Sequence, residues 1–356
     1  LFDQPFALLF FSNMTTKSSS LTIQNGNKNI KKLNKSEIYR GSLKELSQNA
    51  SVLKEAFRSA QPFPHIVIDN FLEPELAYKV KEEFPKPEEM EQHGTNKKVL
   101  NGFQTNPREV RDRPARKAMF DFLESEDVRN LLQTICNSET EILCDPEYMG
   151  AGLLVAQEGG IHRVHRDRNR HPKNRLYSRL VLVLYFNDEW ISEYGGCFEL
   201  WDKTINECNS IEPLFNRCII FENVSNAYHG ISDVHFPPGM TRKALNFYYY
   251  TAEIPKSERI MYIHDTDFFS RPDERLEYWF KNSPKNLGFN LIEAIKNKYQ
   301  PLTNTLQKLK ARLSGNSDLL KEPDQEMLKS WEVYNSKTPE KSVSSFNNDS
   351  PNSQED

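Results

Sequence analysis

One segment of the sequence places an imidazole and a carboxylate two positions apart. His165 and Asp167 form the only His-x-Asp/Glu pattern in the chain. Because side chains at positions i and i+2 of a β-strand point to the same face, these two groups would lie side by side on a strand. One further histidine from a distant strand would complete a two-His, one-carboxylate set. That set suits Fe(II), because coordination positions stay open for a chelating co-substrate and O₂.

The surrounding sequence has to support this motif, because the motif alone is weak evidence. The chain has 8 histidines and 50 acidic residues among 356 residues, so a random sequence of this composition would contain roughly one such pair. A Gly159-Gly160 turn precedes the motif. The segments that follow it are, in chain order, Leu180-Val181-Leu182-Val183-Leu184-Tyr185-Phe186-Asn187, Gly195-Gly196-Cys197-Phe198-Glu199-Leu200-Trp201, Asn216-Arg217-Cys218-Ile219-Ile220-Phe221-Glu222, Tyr228-His229-Gly230, and Arg242 ahead of a Tyr-rich strand.

This ordered set of motifs resembles the prolyl-4-hydroxylase-like branch of the 2-oxoglutarate/Fe(II)-dependent dioxygenases. The resemblance covers about residues 62–252 and begins with a segment typical of such domains, Pro64-His65-Ile66-Val67-Ile68-Asp69-Asn70-Phe71-Leu72. It implies a double-stranded β-helix, or jelly roll, in a mainly β protein with flanking helices. It also implies that Fe(II), 2-oxoglutarate and O₂ take part in the reaction, with ascorbate as a supporting reductant.

The resemblance further implies roles for individual residues. His165 and Asp167 match the first two iron ligands of the family, and His229 matches the distal one. Arg242 matches the basic residue that pairs with the far carboxylate of 2-oxoglutarate, a role that suits a planar guanidinium. His235 and His171 are the rival candidates for the distal ligand.

Two tyrosines are candidates for a hydroxyl contact with 2-oxoglutarate. Tyr177 and Tyr185 both lie near the position where the family often places such a group. Without the strand register the sequence does not distinguish them. Asp167 itself bears on the reaction, because related halogenating enzymes have a small residue at this position. A carboxylate here therefore predicts hydroxylation.

The predicted reaction is hydroxylation of an unactivated C–H group, and the resemblance favours a prolyl residue of a protein or peptide as substrate. A free amino acid or another small metabolite is the alternative within the same reaction class. A jelly-roll binding module without catalytic activity is the alternative from another class. The sequence contains neither GxGxxG nor GxxxxGK[ST], which argues against nucleotide binding.

Apolar periodicity and turn residues predict the elements that position these groups. We expect a disordered leader over residues 1–41, an N-terminal helix over 42–61 and the dioxygenase domain over 62–255. A helical extension over 256–313 and a disordered tail over 314–356 follow. Within the domain the pattern predicts a strand at 65–68, a helix from 74 to about 84, a loop over 85–115, a helix over 116–136, and strands at 152–156, 180–186, 197–201, 217–222 and 244–250.

Composition limits the partners and the compartment. The formal net charge is −4 with both signs mixed, which predicts neither a nucleic-acid partner nor a membrane surface as partner. The five cysteines form no CxxC pair, and an odd count suits reduced thiols. The apolar run at 6–11 is too short to span a bilayer and lacks the flanks of a signal peptide. We therefore expect a cytoplasmic protein, with translation starting at Met14.

Overall fold

The β-strands of the protein form one strongly curled sheet, flanked by helices. The computed structural model describes residues 31–32, 38–40, 43–92, 99–106, 109–254, 266–272 and 324–337. The strands are β1 (Lys31–Lys32), β2 (Ile38–Arg40), β3 (His65–Asp69), β4 (Glu91–Gln92), β5 (Val99–Gln104), β6 (Leu143–Cys144), β7 (Gly152–Arg166), β8 (Tyr177–Tyr185), β9 (Phe198–Trp201), β10 (Glu207–Ile211), β11 (Arg217–Glu222), β12 (Tyr228–Ile231), β13 (Arg242–Thr251) and β14 (Asp267–Phe268). The α-helices are α1 (Leu43–Gln48), α2 (Ala50–Ser59), α3 (Pro74–Glu82), α4 (Pro114–Leu123), α5 (Glu126–Cys136) and α6 (Gln325–Ser336).

The long strand β7 joins the two layers of the curled sheet. The main strand order is β1-β10-β9-β12-β7-β13-β8-β11-β3-β2. The first part of β7 pairs with β13, where Leu153 lies opposite Leu245. Its last part pairs with β12, where His165 lies opposite His229. Because one strand takes part in both layers, the sheet folds back on itself, and the predicted jelly-roll core is confirmed.

Strand β8 lies between the two hydrophobic clusters of this fold. All nine of its residues are buried. Leu182 and Leu184 pack into the cluster that also contains the apolar faces of the helices. Val183 and Tyr185 belong to the cluster on the inner face of the curl. The period of two along a strand explains this division, and it explains why β8 is an uninterrupted apolar run in the sequence.

The helices cover the outer face of the sheet, and local sequence signals set their ends. Pro74 and Pro114 occupy the first turns of α3 and α4, where the missing N–H of proline is tolerated. Ser125 caps α5, because its Oγ accepts from the Val128 N–H. Asn137 ends that helix in the left-handed conformation, with φ 52°, as a C-terminal capping residue often does.

The predicted N-terminal segments differ from the structure in two places. The expected leader over 1–41 includes β2, which pairs in parallel with β3. The single helix expected over 42–61 is two helices, α1 and α2, which separate at Asn49. The Asn49 side chain donates to the Glu45 carbonyl at 2.8 Å. Such a local bond competes with the helical backbone pattern, which is why asparagine is unfavourable inside helices.

Further differences lie in segments predicted to be loop, helix or tail. The expected loop over 85–115 contains β5, which pairs with β7. The helix expected over 116–136 is divided into α4 and α5 at the Ser125 cap. The expected helical extension over 256–313 includes β14, which pairs with the end of β7; its other residues lie outside the described part, apart from the few that flank β14.

The expected disordered tail over 314–356 contains α6, which docks on the domain. Trp331 is only 3% exposed, and its ring lies 5.0 Å from that of His171 and 5.4 Å from that of Tyr250. The Asn335 side chain bonds to both the N–H and the carbonyl of Cys144. These are tertiary contacts, so the polar composition of the tail did not indicate them. Within the described ranges no helix has the length and apolar character needed to cross a membrane.

We expect Trp331→Ala to lower the free energy of unfolding by about 3–5 kcal/mol, the usual cost of removing a buried tryptophan. The matched control is Val333→Ala on the same helix, where the side chain is 51% exposed and the expected change is within about 0.5 kcal/mol. Urea denaturation followed by circular dichroism measures both. Equal effects of the two substitutions would contradict the docking of α6.

Candidate active site

The paired strands β7 and β12 bring two histidines and one carboxylate together. His165 is the penultimate residue of β7, Asp167 follows the strand end directly, and His229 lies opposite His165 on β12. One ligand atom of each residue lies within 4.8 Å of the others, and all three residues are buried. His165 Nε2 is 3.5 Å from Asp167 Oδ1, and His229 Nε2 is 3.7 Å from Asp167 Oδ2. This spacing leaves room for one cation between the three groups.

Both imidazoles are held with Nε2 directed to the centre of this group. His165 Nδ1 lies 2.8 Å from the Arg163 carbonyl oxygen, and His229 Nδ1 lies 2.9 Å from the Ala227 carbonyl oxygen. A carbonyl only accepts, so each Nδ1 carries the proton and donates it. In the neutral form of each ring Nε2 therefore keeps its lone pair, as a metal-ligating histidine requires.

The charges of the group favour an ionised Asp167 beside a neutral His229. Burial opposes ionisation of Asp167, but the neighbouring His229 and His165 together with the Tyr248 hydroxyl lower its pKa to about 2. Tyr248 Oη donates to Asp167 Oδ2 at 3.3 Å. Burial, with the added effect of His165, lowers the pKa of His229 to about 4. At neutral pH the Asp167 carboxylate is therefore ionised and the His229 imidazole is neutral, and both are then in the form that binds a metal.

Arg242 lies at the head of β13 with its guanidinium buried inside the curl. Its residue exposure is 2%, and its Nε donates to the Gly196 carbonyl at 2.6 Å. The guanidinium carbon lies 4.9 Å from the centre of the Tyr185 ring. Among the described residues, neither Arg242 Nη2 nor the Tyr185 hydroxyl has a hydrogen-bond partner. Two buried donors without a partner can both donate hydrogen bonds to an anionic group.

The close approach between Arg242 and Gly196 requires glycine. Gly196 has φ +68°, and a Cβ added there would lie 3.0 Å from Arg242 Cδ. Both the left-handed backbone and the lack of space disfavour any side chain. The Gly195-Gly196 pair, which the sequence analysis singled out as a motif, therefore positions the arginine.

The remaining predicted residues lie apart from these groups. The Tyr177 hydroxyl donates to the Asn223 carbonyl at 2.6 Å, which engages it away from Arg242. The structure thus separates the two tyrosines, and only Tyr185 lies beside Arg242. Of the rival histidines, His171 packs on Trp331 with its Nε2 3.4 Å from Asp145, and His235 is exposed. Neither belongs to the group around Asp167.

A cavity of about 340 Å³ opens next to His165 and Asp167. Its walls include residues that sequence reasoning did not assign to the site. The His162 ring stacks on the His165 ring at 4.2 Å, and Phe268 lies 5.4 Å from His165. A β-bulge between β7 and β12 brings His162 to this side, and a bulge gives no signal in a single sequence. Tyr248 could have been predicted from the sequence. It lies six positions after Arg242 on the same strand, and side chains an even number of positions apart point to the same face.

The comparison with protein families agrees with this geometry. Residues 151–250, which contain the His-Asp-His group and Arg242, match the model of the 2OG-Fe(II) oxygenase superfamily. The chain therefore carries a 2OG-Fe(II) oxygenase domain and is a 2-oxoglutarate-dependent dioxygenase, as the motifs predicted. Enzymes of this class use Fe(II), 2-oxoglutarate and O₂.

Several solved structures are similar to this chain. A prolyl hydroxylase from Trichoplax adhaerens, solved with a peptide fragment of hypoxia inducible factor, is 16% identical, with a TM-score of 0.46 over 58% of this chain and 91% of that chain. A prolyl-4-hydroxylase from Pseudomonas putida is 14% identical, with a TM-score of 0.42 over 57% and 98% of the two chains. Prolyl 4-hydroxylases from Phytophthora capsici give 14% identity and a TM-score of 0.43 over 81% and 93%. No curated protein matches the sequence.

We expect His229→Ala to lower the affinity for a divalent metal by more than about a hundredfold, since loss of a residue that merely orients a ligand already costs about 10- to 100-fold. The matched control is His235→Ala, which removes an exposed histidine six positions away and should leave the affinity unchanged. Calorimetric titration with Fe(II) in oxygen-free buffer measures both. A loss of affinity in the His235 variant alone would assign the distal ligand to that residue.

Proposed function

We propose that this protein hydroxylates an unactivated C–H group with Fe(II) held by His165, Asp167 and His229. The observation that carries the proposal is the buried group itself, in which both Nε2 atoms and the ionised carboxylate face one point. A two-His, one-carboxylate set with open positions is the arrangement typical of non-haem Fe(II) oxygenases. When bound, the iron together with 2-oxoglutarate and O₂ supplies the oxidant that attacks the C–H bond.

Hydrogen bonds within the protein orient the three proposed iron ligands without the metal. The carbonyls of Arg163 and Ala227 accept the Nδ1 protons and thereby orient both rings. The Tyr248 hydroxyl donates to Asp167 and holds the carboxylate toward the two imidazoles. Such outer contacts set the orientation of the ligands and exclude the wrong tautomer.

Arg242 and Tyr185 fit the far carboxylate of 2-oxoglutarate. Arg242 Nη2 and Tyr185 Oη are two of the buried polar atoms that have no hydrogen-bond partner in the described structure, and a carboxylate would satisfy both. Burial raises the pKa of Tyr185 to about 12, against the opposing effect of Arg242. The phenol therefore stays protonated at neutral pH and can donate. A guanidinium that already donates through Nε to Gly196 is fixed in orientation, which favours paired bonds to a carboxylate.

For the substrate we propose a prolyl residue of a protein or peptide, on the resemblance of the ordered motifs to the prolyl-4-hydroxylase-like branch. The second candidate is a free amino acid or another small metabolite, which the cavity volume of about 340 Å³ favours, since small-molecule sites begin near 300 Å³. We further propose ascorbate as supporting reductant. The five free cysteines suit a reducing compartment such as the cytoplasm.

Succinate formation from 2-oxoglutarate tests the proposed reaction. Purified wild type with Fe(II) and ascorbate under air should release succinate, and His165→Ala should release none because the iron loses a ligand. Proline-containing peptides and free amino acids are then compared for their stimulation of succinate release. The absence of succinate from an iron-loaded wild type, with both kinds of candidate substrate present, would favour the non-catalytic binding module.

Gly196→Ala should raise the KM for 2-oxoglutarate by about tenfold or more, the effect of losing one well-placed charged hydrogen bond. The added Cβ would displace Arg242, while the iron ligands stay in place. Gly239→Ala is the matched control, because Gly239 also has a left-handed φ of +86° but nothing lies within 4 Å of the added Cβ. Steady-state kinetics with varied 2-oxoglutarate measure the KM of both variants. Equal KM values for Gly196→Ala and Gly239→Ala would mean that Arg242 does not bind the co-substrate.

A further inference from the structure

The ring of Trp331 supports one side of the cavity from behind. Tyr250 lines the cavity, and its ring lies 5.4 Å from that of Trp331, with the two planes at 80°. Burial raises the pKa of the Tyr250 hydroxyl, and the carboxylates of Asp145 and Asp167 add to this effect, so the hydroxyl lies within the field of Asp167. Trp331 and Tyr250 are 3% and 4% exposed. Because buried rings are closely packed, a change at Trp331 is felt at Tyr250.

Helix α6 also holds the loop over 171–175, which we call the wall loop. The Trp331 ring lies 5.0 Å from that of His171, and the next residue, Pro172, lines the cavity. The N-cap of α6 is bonded to the same loop, because the Asp324 N–H donates to the Asn174 carbonyl at 2.9 Å. The wall loop and the helix are therefore connected at two points.

Tyr334 connects α6 to a second part of the wall through a buried carboxylate. The Tyr334 hydroxyl donates to Glu124 Oε2 at 3.0 Å, and the Tyr148 hydroxyl donates to Oε1 of the same residue. Glu124 is 0% exposed, and Arg111 Nη1 lies 3.2 Å from its Oε2. Because a buried carboxylate depends on all of its partners, loss of the Tyr334 hydroxyl disturbs the bond to Tyr148 as well.

Tyr148 begins a turn over 148–150, which we call the wall turn. Its backbone is left-handed, with φ 52°, and such a conformation persists in a residue with a side chain only where the surroundings hold it. Met149 and Gly150 line the cavity, and a Cβ added at Gly150 would lie 3.4 Å from the Tyr248 ring. Tyr248 donates to Asp167, so the wall turn lies against the residue that orients this ligand.

We propose that α6 determines which substrates fit the cavity, with Trp331 and Tyr334 as positioning residues. Trp331 acts through Tyr250 and the wall loop, and Tyr334 acts through the wall turn. The inference rests on the proposed function, because it assigns the substrate to the cavity beside the iron. Helix α6 lies outside the segment 151–250 that matches the oxygenase family, and substrate preference can differ between chains that share one domain.

The co-substrate end of the site has other supports. Arg242 donates to the Gly196 carbonyl and lies beside the Tyr185 ring, and none of these three residues belongs to the wall loop or the wall turn. A change in α6 should therefore alter the KM for the substrate and leave the KM for 2-oxoglutarate unchanged. A helix that only stabilises the fold would not produce this difference between the two KM values.

Hydrogen–deuterium exchange of the full-length protein tests the two connections without turnover. Tyr334→Phe, which removes only a hydroxyl, should speed exchange of the Ala151 N–H by about tenfold, since one hydrogen bond to a charged group is lost. This N–H donates to the Tyr148 carbonyl at 3.0 Å and reports on the wall turn. Exchange at His229 on β12 should remain that of the wild type.

Trp331→Phe tests the other connection and keeps an aromatic ring at the position. Exchange of the Arg175 N–H, which donates to the His171 carbonyl at 3.0 Å, should be faster by about threefold to tenfold, because part of the ring contact is lost. The matched controls are Val333→Ala and Tyr78→Phe, at positions that are both 51% exposed, and they should change neither reporter. Unchanged exchange at both reporters, or an equal increase in β12, would overturn the inference.

Steady-state kinetics test the effect on the substrate. Succinate release is measured with the proline-containing peptide or free amino acid that stimulates the wild type most. Trp331→Phe and Tyr334→Phe should each raise the KM for that compound by about tenfold, since a small misfit in a pocket costs about this much. The KM for 2-oxoglutarate should stay unchanged. An equal loss for both compounds, or no change for either, would contradict a positioning role.

The failure of this inference and the failure of the proposed function are distinguishable. Wild type that releases succinate, with variants that keep the wild-type KM for the substrate, would retain the oxygenase reaction and reject the role of α6. Wild type that releases no succinate would reject the reaction. The exchange measurements would then still decide whether Trp331 and Tyr334 position the cavity wall.

Discussion

The buried carboxylate of Asp167 is the constraint on which the rest of the site depends. Removing a carboxylate from water is unfavourable unless nearby groups compensate for the lost hydration. Here two imidazoles and the Tyr248 hydroxyl compensate, and they lower its pKa to about 2. The compensation works only while His165 and His229 stay opposite each other on β7 and β12. The register of this strand pair is therefore needed to stabilise the Asp167 carboxylate as well as to form the backbone hydrogen bonds.

The shared strand β7 also determines how the two ends of the site relate to each other. Its first part pairs with β13, which begins at Arg242, and its last part delivers His165 to β12. Arg242 and the three proposed metal ligands are thus connected by one continuous strand and its two partners. Gly196 completes the arrangement, since its carbonyl accepts from Arg242 and its missing side chain leaves space for that arginine.

Support for the cavity wall comes from a part of the chain far away in sequence. Tyr250 lines the cavity, and Trp331 of α6 packs against its ring. Strand β14 pairs with the end of β7 and places Phe268 beside His165. Residues beyond the matched family segment therefore shape the site, which allows the substrate to differ within a common reaction class.

The sequence by itself determined the reaction class and the strand core. His-x-Asp spacing, the apolar run that forms β8 and the ordered glycine and aromatic motifs are local patterns, and local patterns are what a single sequence displays. It did not distinguish Tyr177 from Tyr185, nor did it reveal His162. Those choices depend on strand register and on a β-bulge, which only the pairing of distant strands decides. The helix α6 was likewise decided by tertiary structure, because it is stabilised by contacts across the fold and its own composition is that of a polar tail.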